Sequence, residues 1–291
     1  MHIWPDCIYC ILRMAINTAR FITKDDKEIK IFVKQIMEID ALQGNKWDTT
    51  SPAVIKDVWL ILNENFGTID PLDKTKKEQN DKALMLYPSM KDYVFTNKDS
   101  LSEALKLSVL GNSIDIMRGG VEKLEEEIIP IIKNISISKK QVKKIQRRLE
   151  TINNLVYIGD NCGEIVFDKM FIENIKRYTN IKVTYIVRSL PVLNDATMSD
   201  ARYVGMDMVA HVVENGIPYP FPGFTLHAVS PAIQQLIHES DLIIAKGGGN
   251  YDTMTEDKML KGKTFFLVES KCQPYCIIHN APLGSLIIDD F

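Results

Sequence analysis

Three short stretches carry residue types able to do chemistry: "IGDNCGEIVFDK" (158–169), "RSLPVLNDATMSD" (188–200) and "KGGGNYDTM" (246–254). Asp160 and Asn161 set a carboxylate beside an amide, and Gly163 permits a tight turn before an apolar-faced helix. Adjacent oxygen donors of this kind suit one hard divalent cation, Mg²⁺, Mn²⁺, Co²⁺ or Ni²⁺. Asp195 offers a second carboxylate to the same cation, in a stretch that also holds Arg188, Asn194 and Asp200. In the third stretch Lys246 precedes Gly247, Gly248, Gly249 and Asn250. Backbone amides near glycines, a helix start and a lysine make a phosphate cradle by type. The spacing matches neither a Walker loop nor a dinucleotide fingerprint.

Each stretch also has an ordinary reading. Asp-Asn-x-Gly makes turns and caps, Asp195 or Thr197 can cap a following helix, and glycines make tight connections. The chemical reading gains weight from where the stretches fall. Short runs rich in Val, Ile and aromatics, at 155–159, 182–187, 207–213, 241–245 and 264–268, alternate with helix-length segments. That pattern predicts a mostly parallel, doubly wound (Rossmann-like) α/β sheet in three layers. In such sheets ligands sit beyond the carboxyl ends of the strands, where all three stretches lie. A cation site and an anion site on one edge point to a small phosphorylated metabolite bridging them.

Residues 1–105 read as an all-helical N-terminal domain, and 106–291 as the α/β metal- and phosphate-binding domain. Ser51 is the expected cap of a helix with Pro52 in its first turn and Gly67 at its end, and Pro88 is expected to interrupt the next helix. The segment 106–154 is compatible with either half. The loop "PYPFPGFTLHAVSP", which carries His227, reads as a rigid connection after the third strand.

With 291 residues, 45% apolar, the chain can build a substantial core. Its 38 acidic and 35 basic residues give a net charge of −3, so no electrostatic argument favours nucleic acid or an anionic membrane as partner. No apolar run reaches the length of a membrane span, and no basic leader is present. The expected location is the cytoplasm, in keeping with five cysteines, an odd count for a disulfide framework. Oligomeric state leaves no readable mark.

"GDNCGEIVFDK", "RSLPVLNDATMSDA", "AKGGGNYDTM" and "FLVESKCQP" together resemble the ARMT-like damage-control phosphatase family, also catalogued as domain-of-unknown-function family 89. Upstream, "PDCIYCILRMA", "ALMLYPSMKDYV" and "GNSIDIM" resemble its prokaryotic branch with the early Cys-x-x-Cys. The resemblance implies a metal-dependent phosphomonoester hydrolase that acts on small phosphorylated metabolites such as sugar phosphates or phosphopantetheine-like compounds. It implies metal ligation by Asp160, Asn161 and Asp195, substrate contacts from Lys246, Asn250 and Lys271, and a site acid in Glu164.

On this reading Lys246, the amides near Gly248 and Gly249, and Lys271 or Arg188 neutralise the phosphate beside the cation. The nucleophile stays open between Asp160 and water. Asn112 in "GNSID" either reaches the substrate or merely follows a helix break at Gly111. Cys7, Cys10 and Cys272 could form a second, structural or redox site, although free cysteines also pack as small hydrophobes. Two other functions compete: a non-catalytic phosphometabolite- or nucleotide-binding module, and an S-adenosylmethionine-dependent carboxyl methyltransferase. The latter would need a glycine-rich turn where Asp160 and Asn161 stand.

Overall fold

The computed structural model describes residues 1–67, 70–111, 121–135 and 137–291. Helices α1 (Pro5–Ile22), α2 (Asp26–Ile36) and α3 (Ser51–Phe66) make a lobe with its own core. Helical spacing brings Ile11 and Ala15, Phe32 and Ile36, and Val54, Val58 and Leu62 into one buried cluster. The cap of α3 falls one residue earlier than expected. Thr50 accepts from the Ala53 N–H, Pro52 follows in the first turn, and Gly67 closes the helix at φ +62°.

Helix α4 (Asp73–Thr96) runs through Pro88 instead of stopping there. Its apolar stripe explains why: Leu86 lies before the proline and Met90 and Val94 after it, all buried in one core, so packing outweighs the lost backbone bond. Helices α5 (Ser100–Leu110), α6 (Val121–Asn134) and α7 (Lys139–Leu149) follow. Residue 105, the expected domain boundary, lies inside α5, whose buried residues share a core with the sheet. The change of core comes after α3, because α4 and α5 pack on α8 and cover the sheet.

The strands are β1 (Asn154–Ile158), β2 (Lys182–Val187), β3 (His211–Glu214), β4 (Leu242–Lys246), β5 (Thr264–Glu269) and β6 (Leu286–Asp290). Between them run α8 (Glu164–Lys176), α9 (Met198–Tyr203), α10 (Pro231–Glu239), α11 (Gly247–Met254) and α12 (Gln273–His279). The sheet order is β3-β2-β1-β4-β5-β6, parallel except for β6, which runs antiparallel to β5. This is the predicted doubly wound α/β architecture. Alternate residues of β1 face opposite layers: Tyr157 packs with α8, while Val156 and Ile158 pack with the layer of α10 and α11.

Two strand expectations are corrected. Of the run 207–213 only 211–213 is strand, because Gly205 turns at φ +68° into a short 3₁₀ segment, Met206–Met208, and leaves Met208 82% exposed. β6 was not expected. It forms because Leu286, Ile287 and Ile288 bury beside β5.

Candidate active site

β1 and β4 are neighbours whose following helices leave on opposite faces, α8 into the core of α4 and α5, α11 into the core of α10. A crevice opens at such a switch point, beyond the strand ends. Asp160 and Asn161 follow β1 there, and Lys246 ends β4. The loop after β2 folds back on the Asp160 turn. The Ala196 N–H donates to Asp160 O at 2.8 Å, the Cys162 N–H donates to Asn194 O at 2.8 Å, and Asn161 bridges Asp195. Leu193 sits in this loop at φ +50°, a conformation that non-glycine residues rarely hold. Thr197 and Asp200 form the capping box of α9, which leaves Asp195 free of capping duty.

The two carboxylates share one arginine. Arg188 Nε donates to Asp195 Oδ2 at 2.6 Å, its second nitrogen NH1 donates to Gly223 O at 2.8 Å and to Asn250 Oδ1 at 3.0 Å, and NH2 stands 3.6 Å from Asp160 Oδ1. That NH2 is buried without a hydrogen-bond partner. Burial pushes the Asp160 carboxyl up to about 7, with Asp195 adding to the rise while Arg188, Lys271 and Lys246 pull it back. Burial likewise raises Asp195 against the pull of Arg188.

This pair is negative charge that one guanidinium balances only in part. Asn161 Nδ2 donates to Asp160 Oδ2 at 2.7 Å and lies 3.4 Å from Glu164 Oε2, so its oxygen is turned to other use. Two carboxylates and an amide oxygen are the donor set a hard cation takes, and they fit the divalent ion expected from the sequence. No three His, Cys, Asp or Glu side chains cluster as a metal site among the described residues, so the amide is essential to this fit.

Asp160, Asn161 and Asp195 line a cavity of about 320 Å³ together with Gly248, Gly249 and Lys271. Gly248 and Gly249 follow Gly247 in the first turn of α11, which has no side-chain cap. Their N–H groups are therefore available to an anion. Gly247 has φ +78°, and a Cβ there would fall on the Asp160 carboxylate. The α1–α3 lobe closes the far wall through Ile11, Pro52 and Ile55, and the Pro-rich loop contributes Pro222.

Four residues expected at the substrate stand behind this wall. Lys246 is fully buried and donates to Glu164, to Asp168 Oδ1 at 2.9 Å and to Ser108 O at 2.6 Å. Burial works against its charge, but Asp168 and Glu164 outweigh that and hold its pKa above the ordinary value. Glu164 is raised by burial to about 7 against the pull of Lys246. Asn250 donates to Gly159 O and Lys246 O, tying the ends of β1 and β4, while its oxygen steadies Arg188. Arg188 is 3% exposed and reaches the cavity only through the carboxylates it holds. Asn112 lies outside the described residues.

Sequence reasoning missed Asp168, which accepts from Ser108, Tyr157, Tyr185 and Lys246 and anchors this buried network. An acid on the inward face of a helix predicted to be apolar was the available signal. Gly159 is a second. A Cβ there would meet the Tyr185 ring at 2.7 Å, so only glycine lets that hydroxyl reach Asp168. Cys7, Cys10 and Cys272 do come together on the cavity wall, all as free thiols.

The sequence profile of the damage-control phosphatase ARMT1-like domain matches residues 3–287. An uncharacterized protein of Methanocaldococcus jannaschii is 32% identical, the alignment covering 94% of this chain and 90% of that protein. A damage-control phosphatase of Pyrococcus horikoshii is 28% identical, covering 99% and 97%, and one of Archaeoglobus fulgidus 28%, covering 99% and 98%. The crystal structure of a DUF89 family protein from Pyrococcus horikoshii superposes with a TM-score of 0.90 at 26% identity, covering 100% of this chain and 99% of that one.

Proposed function

The chain belongs to the damage-control phosphatase ARMT1-like family, and from that premise we propose that it is a metal-dependent phosphatase of small phosphorylated metabolites. The observation that carries this reading is the meeting of Asp160, Asn161 and Asp195 with Lys271 and the start of α11 around one cavity. Asp160, Asn161 and Asp195 would hold Mg²⁺, Mn²⁺, Co²⁺ or Ni²⁺. When bound, the cation withdraws charge from a phosphoryl oxygen.

The protein's own groups supply the rest. Lys271 and the N–H groups of Gly248 and Gly249 bind the remaining phosphate oxygens, a task that needs positioning and charge more than covalent chemistry. Arg188 aims Asp195 through a direct hydrogen bond and favours its ionised form against the burial that raises its carboxyl. Lys246 acts through Glu164 and Asp168, whose network reaches Asn161 through Glu164, so its contribution is to position the ligands. Ile11, Pro52, Ile55 and Pro222 give the cavity an apolar side that would suit a compact organic leaving group. Cys7, Cys10 and Cys272 share a wall of the cavity and would make up the second, structural or redox, site. Free thiols suit a reducing cytoplasm, and no helix among the described residues is long and apolar enough to cross a membrane.

The test is phosphate release from p-nitrophenyl phosphate and a sugar phosphate panel. Chelated protein is re-supplied with each metal, alongside Asp160→Ala and Asp195→Ala. Activity restored by metal and abolished by both substitutions in folded protein supports the proposal. Binding of phosphorylated ligands without turnover would make the chain a binding module instead.

A further inference from the structure

Helix α4 grips both segments that carry the candidate cation ligands, although none of its residues lines the cavity they face. Lys76, Gln79 and Asn80 stand three and four residues apart on one face of the helix, and all three are buried. Asn80 Oδ1 accepts the Gly163 N–H at 2.7 Å, which ties down the turn of Asp160 and Asn161. Gln79 Oε1 accepts from Asn194 Nδ2 at 3.2 Å, one residue before Asp195. Lys76 Nζ donates to Asp70 Oδ2 at 2.8 Å and pairs with Asp200 Oδ2 at 2.9 Å. Asp200 is the acid that accepts from Thr197 at the start of α9, just past Asp195.

The approach of α4 is close. A Cβ on Gly163 would stand 3.3 Å from Gln79 O, and Gly163 has φ +75°, so glycine lets this turn lie against the helix. Burying two amides and a lysine costs hydration that only specific partners offset. Here the partners belong to segments following two different strands, β1 and β2. Those segments are joined to each other by the Cys162 N–H on Asn194 O and the Ala196 N–H on Asp160 O, each at 2.8 Å. Leu193, held at φ +50° in the second segment, has a conformation that surrounding contacts must impose.

We propose that Lys76, Gln79 and Asn80 are positioning residues, a clamp that holds the Asp160 turn against the Asp195 loop and thereby sets the spacing of Asp160, Asn161 and Asp195. A hard cation such as Mg²⁺ demands near-ideal ligand geometry, so donors on two loops serve it only while the loops keep their distance. The link to cation binding rests on the reading of those three residues as ligands. The clamp itself is a property of the metal-free chain.

Asn80→Leu removes the acceptor of the Gly163 N–H, and Gln79→Met removes that of the Asn194 amide. Asn80→Asp keeps an oxygen acceptor in the same place. Met90→Ala, which opens a cavity in the core further along α4, controls for lost stability alone. Mn²⁺ binding to the full chain is measured by calorimetry, and amide hydrogen exchange in the chelated chain by NMR, at a temperature where every variant is folded. Asn80→Leu and Gln79→Met should each weaken Mn²⁺ binding about tenfold or more, while Asn80→Asp and Met90→Ala stay within about threefold of wild type. In the chelated chain Asn80→Leu should speed exchange at the Cys162 and Ala196 N–H groups about tenfold or more relative to amides of β5, and Met90→Ala should not.

Mn²⁺ affinity unchanged in both Asn80→Leu and Gln79→Met overturns the proposal. So does a loss that Met90→Ala reproduces or that Asn80→Asp fails to reverse. Unaltered exchange at Cys162 and Ala196 in Asn80→Leu overturns it without reference to any metal. A wild type that binds no Mn²⁺ while exchange responds as expected sinks the metal-dependent phosphatase reading and leaves the clamp standing.

Discussion

Arg188 Nε meets Asp195 Oδ2 at 2.6 Å, with both side chains nearly excluded from water. The bond decides the electrostatics of the whole strand edge, since the same guanidinium also stands beside Asp160. Replacing Arg188 with Met removes the only cation in direct contact with Asp195 among the described residues. In chelated protein the variant should lose about 3–5 kcal/mol, the usual penalty for leaving a buried charge unpaired. Urea unfolding of the chelated variant checks this, and added divalent metal should restore part of the loss.

Lys246 is expected to behave as a support and not as a substrate contact. Lys246→Met leaves Glu164 and Asp168 buried without their cation, and should cost about 3–5 kcal/mol. Adding Asp168→Asn should recover part of it, giving a coupling of about 0.5–3 kcal/mol in a double-mutant cycle. A lysine serving only the substrate would instead lower kcat/KM with stability unchanged, and equilibrium unfolding beside steady-state kinetics separates the two.

Gly247→Ala should inactivate. The position has φ +78°, and the added methyl would occupy the place of the Asp160 carboxylate. We expect a loss of stability above about 1 kcal/mol from backbone conformation alone, and a larger loss of metal affinity. Titration with Mn²⁺, read by calorimetry, checks the second point. Gly262→Ala, also at positive φ but with open space around it, is the control that carries strain without the clash.

Asp252 gives a pH signature. Burial raises its carboxyl from an ordinary 3.8 to about 7, against the hydrogen bond from Tyr275 and the amino group of Met1. The folded chain therefore keeps a proton that the unfolded chain releases. Its contribution is fully present below pH 3.8 and is lost as pH rises through about 7. Asp252→Asn should flatten that part of the profile and make the protein relatively more stable near neutral pH. Thermal melts across pH 4–8, compared with wild type, decide it.

The sequence by itself determined the alternation of strand and helix, the parallel sheet, and the placing of Asp160, Asn161 and Asp195 at strand ends. Those features follow from local pattern: apolar runs of strand length, glycines at turns, and polar residues where a strand hands over to a helix. It could not show that β6 joins the sheet, since pairing depends on a partner distant in the chain. Nor could it show that α4 passes through Pro88, because burial on both sides of the proline decides that.

The same limit applies at the site. A lysine before three glycines reads as a phosphate ligand, yet only the tertiary structure turns Lys246 inward, where Asp168 and Glu164 wait on α8. Likewise Cys7, Cys10 and Cys272 stand at opposite ends of the sequence and share a wall only because α1 packs over the strand ends. Residue type and spacing state which chemistry is available. Direction, burial and the identity of each charge's partner are set by contacts between distant segments, which local pattern does not encode.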